Sequence, residues 1–396
     1  MQVCGVICEY NPFHRGHALH LARAKALSGA DYVVCAMSGS VTQRGTFARH
    51  DKWTRARMAL ENGADLVLEL PVRFSSAPAP EFAGGGVSLL SALGVLTHLS
   101  FGCEAQALPM LSAAKQLLSS ESPTFKAALR AHLDQGLPYP RARALAAQQI
   151  SGEENLEALI ALPNASLAIE YLCALPPHIT PVPVVREGSG YHDAQLSDLS
   201  SATAIRAALS RGDAAQALAA VPSAHLLEQA LSRGDMHEEE ALTKALLYRL
   251  RTMSAEELAG IAGMVEGLEH RFLAAAQTAR TRDALILAVK SKRYTYARLS
   301  RICSNILLGV TRDYAAQNAA PSYARVLGFR RDAQPLLRAI KENASIPLVT
   351  KAADYNRADP LFALDVRAQD LWSLGCTSEN LQSSGRDFTT GPVILF

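Results

Sequence analysis

The stretch that decides the fold runs from residue 3 to residue 17 and reads VCGVICEYNPFHRGH. Its first five residues are apolar or small, which predicts a buried strand near the start of the chain. A proline then favours a turn, and helix formers at 16–27 predict a helix. His14 and His17 therefore lie where the strand passes to the helix, on one face of its positive end. Both rings can contact the same anion there, and phosphate is the natural candidate.

The tetrapeptide His14-Arg15-Gly16-His17 has the form HxGH. Composition alone predicts only about 0.02 matches in a chain of this length, so the pattern is moderately specific. Gly16 lacks a Cβ, which lets a flat base or a ribose approach the backbone closely. The alternative is that the two histidines merely satisfy a helix start, and their position after the first buried strand argues against it.

Strand and helix patterns alternate through the first half of the chain. Further strands are predicted at 32–37, 66–70, 99–101 and 182–185, and further helices at 51–61, 81–93, 106–118, 166–174 and 201–210. This alternation is typical of an α/β fold in which helices cover a Rossmann-like parallel sheet. The strand at 182–185 is expected to be the last one of the sheet.

A change of character near Asp213 predicts a domain boundary. From there to Val310 the sequence is rich in Ala, Leu, Glu and Arg and reads as mostly helical, whereas the tail beyond Arg330 is mixed. We therefore expect an α/β domain at 1–212 and a mostly helical region at 213–396.

The composition excludes several classes of protein. Hydrophobic residues make up 49% of the 396 residues and charged residues 19%, values of a globular chain rather than a disordered or collagen-like one. No apolar run approaches the roughly 18 residues of a membrane-spanning helix, and the first residues lack a secretory pattern. Seven scattered cysteines, an odd number, do not suit a disulfide framework, so reduced thiols and a cytoplasmic location are expected.

A second anion-binding pattern is the sequence SSATAIR at 200–206. Ser201 and Thr203 place hydroxyls at an expected helix start, and Arg206 follows one turn inside. Asp198 and Thr203 are alternative caps for that helix. Such groups can hold a leaving pyrophosphate from the side opposite the histidines. Read alone, the segment is a capped helix with a solvated arginine, but paired with HxGH it favours a phosphate site.

Charge is distributed unevenly, although the whole chain carries only +2. Residues 280–341, called the basic segment below, hold 13 Lys and Arg against three Asp, a net charge of +10, and the rest carries −8. A solvated helix face is one interpretation, and a polyanionic partner is the other. Interleaved cations and aromatic rings suit RNA phosphates and exposed bases. The residues expected to bind RNA are Lys290, Lys292, Arg293, Tyr294, Arg298 and Arg301, with Tyr296 among them.

Several longer motifs accompany these two patterns. They are Glu9-Tyr10-Asn11-Pro12-Phe13-His14, Met37-Ser38-Gly39, Gln43-Arg44-Gly45, Asp51-Lys52-Trp53, the run at 63–71, Phe101-Gly102, Pro163-Asn164, Ile169-Glu170-Tyr171-Leu172, Gly190-Tyr191-His192-Asp193 and Lys290-Ser291-Lys292-Arg293-Tyr294-Thr295. Together with HxGH and the SxTxIR-like segment at 201–206, they resemble the HIGH-type nucleotidyltransferase superfamily and, more closely, the tRNA(Met) cytidine acetate ligases. The resemblance spans at least residues 1–330.

The resemblance implies an enzyme that activates acetate with ATP to acetyl-adenylate. The acetyl group then passes to N4 of the wobble cytidine in elongator tRNA(Met), which gives N4-acetylcytidine. ATP with Mg²⁺ is a substrate, acetyl-CoA is not used, and no membrane is involved. The domain at 1–212 is then a HIGH-type nucleotidyltransferase domain with the HUP fold, and the region at 213–396 binds tRNA.

The family pattern also implies the site residues. His14, His17 and Arg206 are the expected catalytic residues, because fixed donors on the pyrophosphate side lower the barrier without a covalent intermediate. The residues expected to bind ATP are Ile7, Cys8, Glu9, Tyr10, Asn11, Pro12, Phe13, His14, Arg15, Gly16, His17, Ala18, Leu19, His20, Gly102, Asn164, Arg186, Ser201 and Thr203.

Two features qualify the family pattern. Relatives carry Asn-Phe-Val after Ser38-Gly39, whereas this chain has Ser-Val-Thr at 40–42, so contacts of that loop with acetate or cytidine do not carry over. The carboxylates considered as magnesium ligands are expected to be structural or solvated, and no protein metal site is expected. They are Asp51, Asp65, Glu69 and Glu104.

Two other functions remain open at this level. HxGH with SxTxIR equally permits an adenylyltransferase that acts on a small phosphorylated metabolite. An ATP-gated RNA-binding protein without catalysis is the second. The long basic region is superfluous for a small metabolite, and a purely binding protein leaves the paired anion-binding elements without chemistry.

Overall fold

A computed structural model of the chain describes residues 1–103, 108–120, 122–185, 201–265 and 267–396. Within these residues eight strands form one sheet. They are β1 Val3–Cys8, β2 Tyr32–Ser38, β3 Leu66–Leu70, β4 His98–Cys103, β5 Thr180–Val185, β6 Ala324–Arg330, β7 Leu348–Val349 and β8 Val393–Leu395. Their order is β5-β4-β1-β2-β3-β6-β7, and β8 pairs with β6.

The first strand lies inside the sheet, between β2 and β4. Both neighbours pair with β1 in parallel, and the pairs β2–β3 and β4–β5 are parallel as well. The chain thus builds one side of the sheet up to β3 and then returns to build the other from β4. At the carboxyl ends of β1 and β4 the connections diverge and open a crevice, where α/β proteins bind ligands. The predicted Rossmann-like parallel sheet is confirmed.

Both faces of the sheet are covered, which explains why its central strands could be predicted from the sequence. Val34 and Ala36 of β2 belong to one buried cluster, and Val33, Cys35 and Met37 belong to another on the opposite face. Parallel strands that are buried on both faces are continuous apolar runs rather than alternating ones.

Helices fill most of the remaining chain. They are α1 Arg15–Ser28, α2 Lys52–Glu61, α3 Val72–Ser75, α4 Ala79–Ser91, α5 Leu108–Ser120, α6 Pro123–Asp134, α7 Tyr139–Ser151, α8 Leu156–Ala161, α9 Pro163–Ala174, α10 Ala202–Ser210, α11 Ala214–Ala219, α12 Ala224–Arg233, α13 Thr243–Thr252, α14 Ala255–Ala259, α15 Leu268–Ala276, α16 Arg282–Val289, α17 Tyr296–Leu308, α18 Arg312–Gln317, α19 Gln334–Asn343, α20 Pro360–Leu374 and α21 Arg386–Thr389. Short 3₁₀ turns lie at Glu239–Leu242, Arg331–Ala333, Ala352–Asp354 and Glu379–Leu381. The predicted helical stretch from 213 to 310 is confirmed. In the described part of the chain, no helix combines the length and apolar content needed to cross a bilayer.

The sheet continues beyond residue 185, whereas the sequence predicts that it ends there. β6 pairs with β3 in the antiparallel direction, and β7 and β8 both pair with β6. The prediction that 182–185 is the last strand is therefore wrong, and the carboxy-terminal tail adds three strands to the same sheet. The reason is physical: β3 is buried along its whole length, and β6 covers the edge that it would otherwise expose. The boundary near Asp213 stays a prediction.

A buried ion cluster fastens this tail. Lys52 Nζ lies 2.7 Å from Glu69 Oε1 and 2.8 Å from Asp387 Oδ1. Arg325 Nη1 lies 2.6 Å from the same Asp387 atom and 3.2 Å from Glu69 Oε2. None of the four side chains is more than 3% exposed. Two positive and two negative charges offset one another, which is the condition for keeping them away from water.

The carboxylates considered as magnesium ligands have structural partners. Glu69 belongs to the ion cluster. Asp51 caps α2 by accepting the Thr54 N–H at 2.6 Å. Asp65 accepts the Val33 N–H at 2.7 Å. Glu104 lies outside the described residues.

Candidate nucleotide site

A cavity of about 350 Å³ opens at the carboxyl ends of β1 and β4. Its walls come from the β1–α1 turn, the loop at 42–46, the ends of β4 and β5, and the first turns of α9 and α10. It occupies the crevice expected where the strand order reverses. We call it the nucleotide cavity.

His14 and His17 line this cavity and are held by the backbone of the helix that they begin. His14 is the N-cap of α1, and its Nδ1 accepts the Gly16 N–H at 3.1 Å. The Nδ1 of His17 accepts the His14 N–H at 3.2 Å. The rings stack with their centroids 3.6 Å apart. The imidazoles thus satisfy N–H groups that a helix start leaves without intrahelical partners.

These hydrogen bonds fix the tautomer of both rings. A ring nitrogen that accepts a hydrogen bond carries no proton, so Nε2 is the protonated nitrogen of each neutral imidazole. Nε2 is therefore the nitrogen through which His14 and His17 can donate to a phosphate oxygen. Paired donors at the positive end of α1 suit a polyphosphate.

Gly16 and two aromatic rings keep the histidines in place. A Cβ on Gly16 would lie 3.0 Å from Cε1 of His14 and press against the ring. Tyr10 and Phe13 are buried next to His17, with ring centroids 4.8 and 5.5 Å from its imidazole. Packing of this kind leaves the imidazole little freedom to turn away.

The second motif reaches the same turn. Ser201 is the N-cap of α10, and its Oγ accepts the Ala204 N–H at 3.2 Å. The expectation that Thr203 caps this helix is therefore wrong, and Asp198 lies outside the described residues. Arg206 instead donates from Nη2 to Thr203 Oγ1 at 3.3 Å and from Nη1 to the Asn11 carbonyl at 2.6 Å. A hydrogen bond thus joins the two motifs directly.

Both motifs also face one space. His14, His17, Ser201, Thr203 and Arg206 all line the nucleotide cavity. Imidazole donors, hydroxyl groups and a guanidinium group around a single crevice form an arrangement that can bind a chain of phosphates and stabilise charge that builds on it.

Comparisons with known proteins agree with this geometry. The family model described as HIGH Nucleotidyl Transferase matches residues 1–387. A tRNA(Met) cytidine acetate ligase from Acetivibrio thermocellus is 36% identical over 415 residues, which cover 100% of both chains. One from Leuconostoc mesenteroides is 38% identical over 388 residues, which cover 94% of this chain and 95% of the relative. The chain belongs to the tRNA(Met) cytidine acetate ligase family.

Solved structures extend the match to the whole fold. The crystal structure of Thermotoga maritima TmcAL bound with alpha-thio ATP has a TM-score of 0.92 to this chain at 30% identity, and the apo form has 0.94 at 30% identity. Each covers 100% of both chains. The added strands β6–β8 are therefore part of a fold shared along its entire length.

Most of the residues expected to bind ATP in this acetate ligase fold line the nucleotide cavity. They are Ile7, Cys8, Glu9, Tyr10, Asn11, His14, Gly16, His17, Leu19, His20, Gly102, Asn164, Ser201 and Thr203. Four of the expected residues do not line it, namely Pro12, Phe13, Arg15 and Ala18. Phe13 is fully buried, and Arg15 is exposed. The sequence prediction assigns every residue from 7 to 20 to ATP binding, whereas a turn and a helix present only some of their residues to one side. Arg186 lies outside the described residues.

Sequence reasoning missed the loop at 42–46 as a wall of the cavity. Gln43, Arg44 and Thr46 line it, and the Gln43 N–H donates to Glu9 Oε1 at 2.6 Å. Burial raises the pKa of Glu9, although this N–H and the guanidinium groups of Arg206 and Arg44 oppose the shift. The motif Gln43-Arg44-Gly45 could have pointed to this loop, because it is one of the family motifs, but no function was assigned to it.

The family loop that differs in this chain lies mostly away from the cavity. Ser40 donates from Oγ to Gln369 Oε1 at 2.8 Å, and Val41 is fully buried. Thr42 alone of these three lines the nucleotide cavity. Of the three positions that depart from Asn-Phe-Val, Ser40 thus contacts α20, and Val41 belongs to a buried cluster that includes residues of α20.

The helical region holds the 42–46 loop from outside. The Gly45 carbonyl accepts hydrogen bonds from Arg282 Nη2 at 2.6 Å, Ser304 Oγ at 2.6 Å and Ser300 Oγ at 3.1 Å. Gly45 has φ +72°, and a Cβ there would lie 2.4 Å from Arg301 Cα. Helices α16 and α17 thus determine where a wall of the nucleotide cavity stands.

The basic segment divides into exposed and buried parts. Lys290, Lys292 and Arg293 are exposed, as an RNA contact requires. Tyr294 is only 6% exposed in the core of the helical region, so the expectation that it offers a free face to a base is wrong. Arg301 is half-buried and donates from Nη1 to the Gln43 carbonyl at 3.1 Å.

Arg298 lies between these two groups. Its guanidinium lies over the ring of Tyr294 at 5.3 Å, and its Nη2 donates to the Gly263 carbonyl at 3.2 Å. Its side chain is therefore oriented by the surrounding helices while it stays half-buried.

Proposed function

We propose that this chain is an ATP-dependent acetate ligase, which converts acetate and ATP to acetyl-adenylate and acetylates N4 of the wobble cytidine of elongator tRNA(Met). The observation that carries the proposal is the convergence of the HxGH and SxTxIR groups on one cavity. The names of the relatives support the tRNA substrate and the ligase reaction. Work on tRNA would place the enzyme in the cytoplasm.

In the first step an acetate oxygen attacks the α-phosphorus of ATP. The new O–P bond replaces the bond to the bridging oxygen, and pyrophosphate leaves with the additional negative charge. We assign stabilisation of that charge to the Nε2–H groups of His14 and His17 and to the guanidinium of Arg206, because all three side chains line the nucleotide cavity. Because backbone and side-chain partners already orient them, little reorganisation is needed.

In the second step the exocyclic amine of the cytidine attacks the acetyl carbonyl. A C–N bond forms, the C–O bond to AMP breaks, and the amine gives up a proton. The product is an amide, and because acetyl-adenylate is the acyl donor, this route uses no acetyl-CoA.

Magnesium would enter with ATP. Within the described ranges, no group of three or more His, Cys, Asp and Glu side chains is placed to hold a metal ion. No step above is assigned to a metal.

The test separates activation from transfer. The protein should catalyse exchange of labelled pyrophosphate into ATP only when acetate is present. Mass spectrometry of nucleosides should then show N4-acetylcytidine in treated tRNA(Met), and none in the same tRNA with uridine at the wobble position, which lacks the amine. Exchange that requires a phosphorylated metabolite instead of acetate would contradict the proposal, as would ATP binding without exchange.

A further inference from the structure

A second cavity, of about 890 Å³, lies against the nucleotide cavity. Five residues line both, namely Asn11, Gln43, Arg44, Thr46 and Arg206. We call the larger space the central cavity. A group bound in it lies one side chain away from an adenylate in the nucleotide cavity.

The lining of the central cavity is basic. Six arginines and two glutamates face it among the described residues, an excess of four positive charges. The arginines are Arg44, Arg49, Arg143, Arg206, Arg282 and Arg301. Arg282 Nη1 lies 2.7 Å from Glu239 Oε1, and Arg143 is hydrogen-bonded to Glu170, so both glutamates are already neutralised. Arg49 Nη1 also lies 2.8 Å from Glu238 Oε2, so the charge that favours an anionic ligand comes from Arg44, Arg206 and Arg301.

The central cavity also carries two exposed aromatic rings. Tyr139 begins α7 and is 47% exposed, and Tyr296 begins α17 and is 37% exposed. The hydroxyl of Tyr296 donates to Asp283 Oδ1 at 2.9 Å, which orients its ring. Rings on a basic surface are the usual platform for an unstacked base.

A third cavity, of about 640 Å³, continues from the central one. They share Pro78, Tyr139, Pro140, Thr295 and Arg301. This outer cavity is lined by Arg293, Arg298 and Arg312, all in the basic segment. Arginines thus extend from the predicted RNA surface to the nucleotide cavity.

We propose that the central cavity is the acceptor-nucleotide site, which takes a pyrimidine nucleotide turned out of a single-stranded RNA loop and stacked on Tyr139 and Tyr296. The inference rests on the proposed function. The amine of the base then points past Arg206 toward the adenylate, and neighbouring phosphates of the loop lie along the outer cavity. Turning the base out is required because its amine is otherwise held in the stacked loop.

The experiment compares alanine and phenylalanine at the two tyrosines. Tyr139→Ala and Tyr296→Ala should each lower kcat/KM for acetyl transfer to tRNA by about five- to one-hundred-fold, the range for loss of base–aromatic stacking. Tyr139→Phe and Tyr296→Phe keep the ring and should stay within about two-fold of the unmodified protein. Tyr248→Ala, at a tyrosine 67% exposed on α13, is the matched control and should have no effect.

Acetate-dependent pyrophosphate exchange, measured on the same proteins, shows whether they are folded and activate acetate. Exchange should be unchanged in the alanine variants. The inference is overturned if they behave like Tyr248→Ala, if exchange falls together with transfer, or if the phenylalanine variants lose as much as the alanine variants. Failure of the proposed function looks different, because the unmodified protein then lacks exchange or transfer. Binding of a tRNA(Met) anticodon stem-loop to the same variants tests the stacking in that case too.

Discussion

The nucleotide cavity and the central cavity share a wall but are built differently. In the nucleotide cavity the backbone holds the functional groups, since both imidazoles accept N–H groups of their own helix turn. In the central cavity side chains from distant segments hold one another, as Arg282 and Glu239 do. The histidine pair forms with one turn of helix, whereas the ion pairs around the central cavity need segments that are distant in sequence. Substitutions in the first should therefore change chemistry alone, and substitutions around the second should change RNA use or stability.

The largest expected effect is that of His17→Ala on acetate activation. Loss of one preorganised donor to transition-state charge costs about 10²- to 10³-fold in rate. Pyrophosphate exchange should fall by that factor, while tRNA binding stays within about two-fold, because the imidazole lies outside the central cavity. His270→Ala, at a histidine 73% exposed on α15, is the control. Equal losses of exchange and tRNA binding would show that the two cavities are not separable.

Gly45→Ala should destabilise the protein where the loop at 42–46 packs against α17. A Cβ there would meet the Arg301 backbone at 2.4 Å in a conformation that already disfavours side chains. The expected loss is about 3 kcal/mol in the free energy of unfolding, from overpacking added to backbone strain. Gly152→Ala, with φ +70° and no atom within 4 Å, should cost only about 1 kcal/mol. Denaturant unfolding measures the loss in both variants. Equal losses would contradict the proposed close packing of Gly45 against α17.

Lys292→Ala with Arg293→Ala should weaken tRNA binding and leave exchange unchanged. Each lost phosphate contact lowers the slope of log affinity against log salt by about 0.7–0.9, so the double variant should lose up to about 1.8. Lys126→Ala with Arg130→Ala, at two exposed residues on α6, removes the same charge outside the basic segment. Filter binding over a salt series is the measurement. A salt slope that responds equally in both variants would mean that the basic segment is only a solvated face.

The smallest expected effect is on the pH dependence of stability and involves Asp235, two residues before His237 in the lining of the central cavity. Burial and the neighbouring Asp51 carboxylate raise the pKa of Asp235 to about 7, although Arg386 opposes the shift. The raised pKa means that the folded protein favours the protonated carboxyl. The contribution of Asp235 to the free energy of unfolding is therefore fully present below about pH 4 and is lost as the pH rises through about 7. Asp235→Asn removes this loss and should raise the free energy of unfolding by about 1 kcal/mol at about pH 8 but not at about pH 4. Asp354→Asn, at an aspartate 65% exposed, should change neither value, and a matching gain there would contradict the assignment.

The difference between the cavities also explains what the sequence could predict. Strands β1 to β3 are nearly continuous apolar runs, and the histidine pair is a local pattern at the end of one of them, so both could be predicted from the sequence. β4 and β5 are interrupted by polar residues, glycine or proline, and only 99–101 and 182–185 of them were predicted. β6 was missed because Arg325 and Gly328 interrupt its apolar pattern. Arg325 is buried there only because Glu69 and Asp387 arrive from other segments to neutralise it.

Tyr294 and Arg301 show the same limit in the basic segment. Both have the residue type expected of an RNA contact, yet Tyr294 packs inside the helical core and Arg301 donates to the Gln43 carbonyl. Which side of a helix faces solvent depends on what packs against it, and that information is tertiary. The central cavity was beyond reach for this reason, because its walls come from segments separated by more than two hundred residues.

The most direct test is a crystal structure of this protein with the α,β-methylene analogue of ATP, in which the bond broken in the first step cannot be cleaved. The account predicts Nε2 of His14 and His17 and the guanidinium of Arg206 within hydrogen-bond distance of one triphosphate, about 2.7–3.2 Å. A triphosphate that contacts the imidazoles while Arg206 and the start of α10 face away from it would contradict the account.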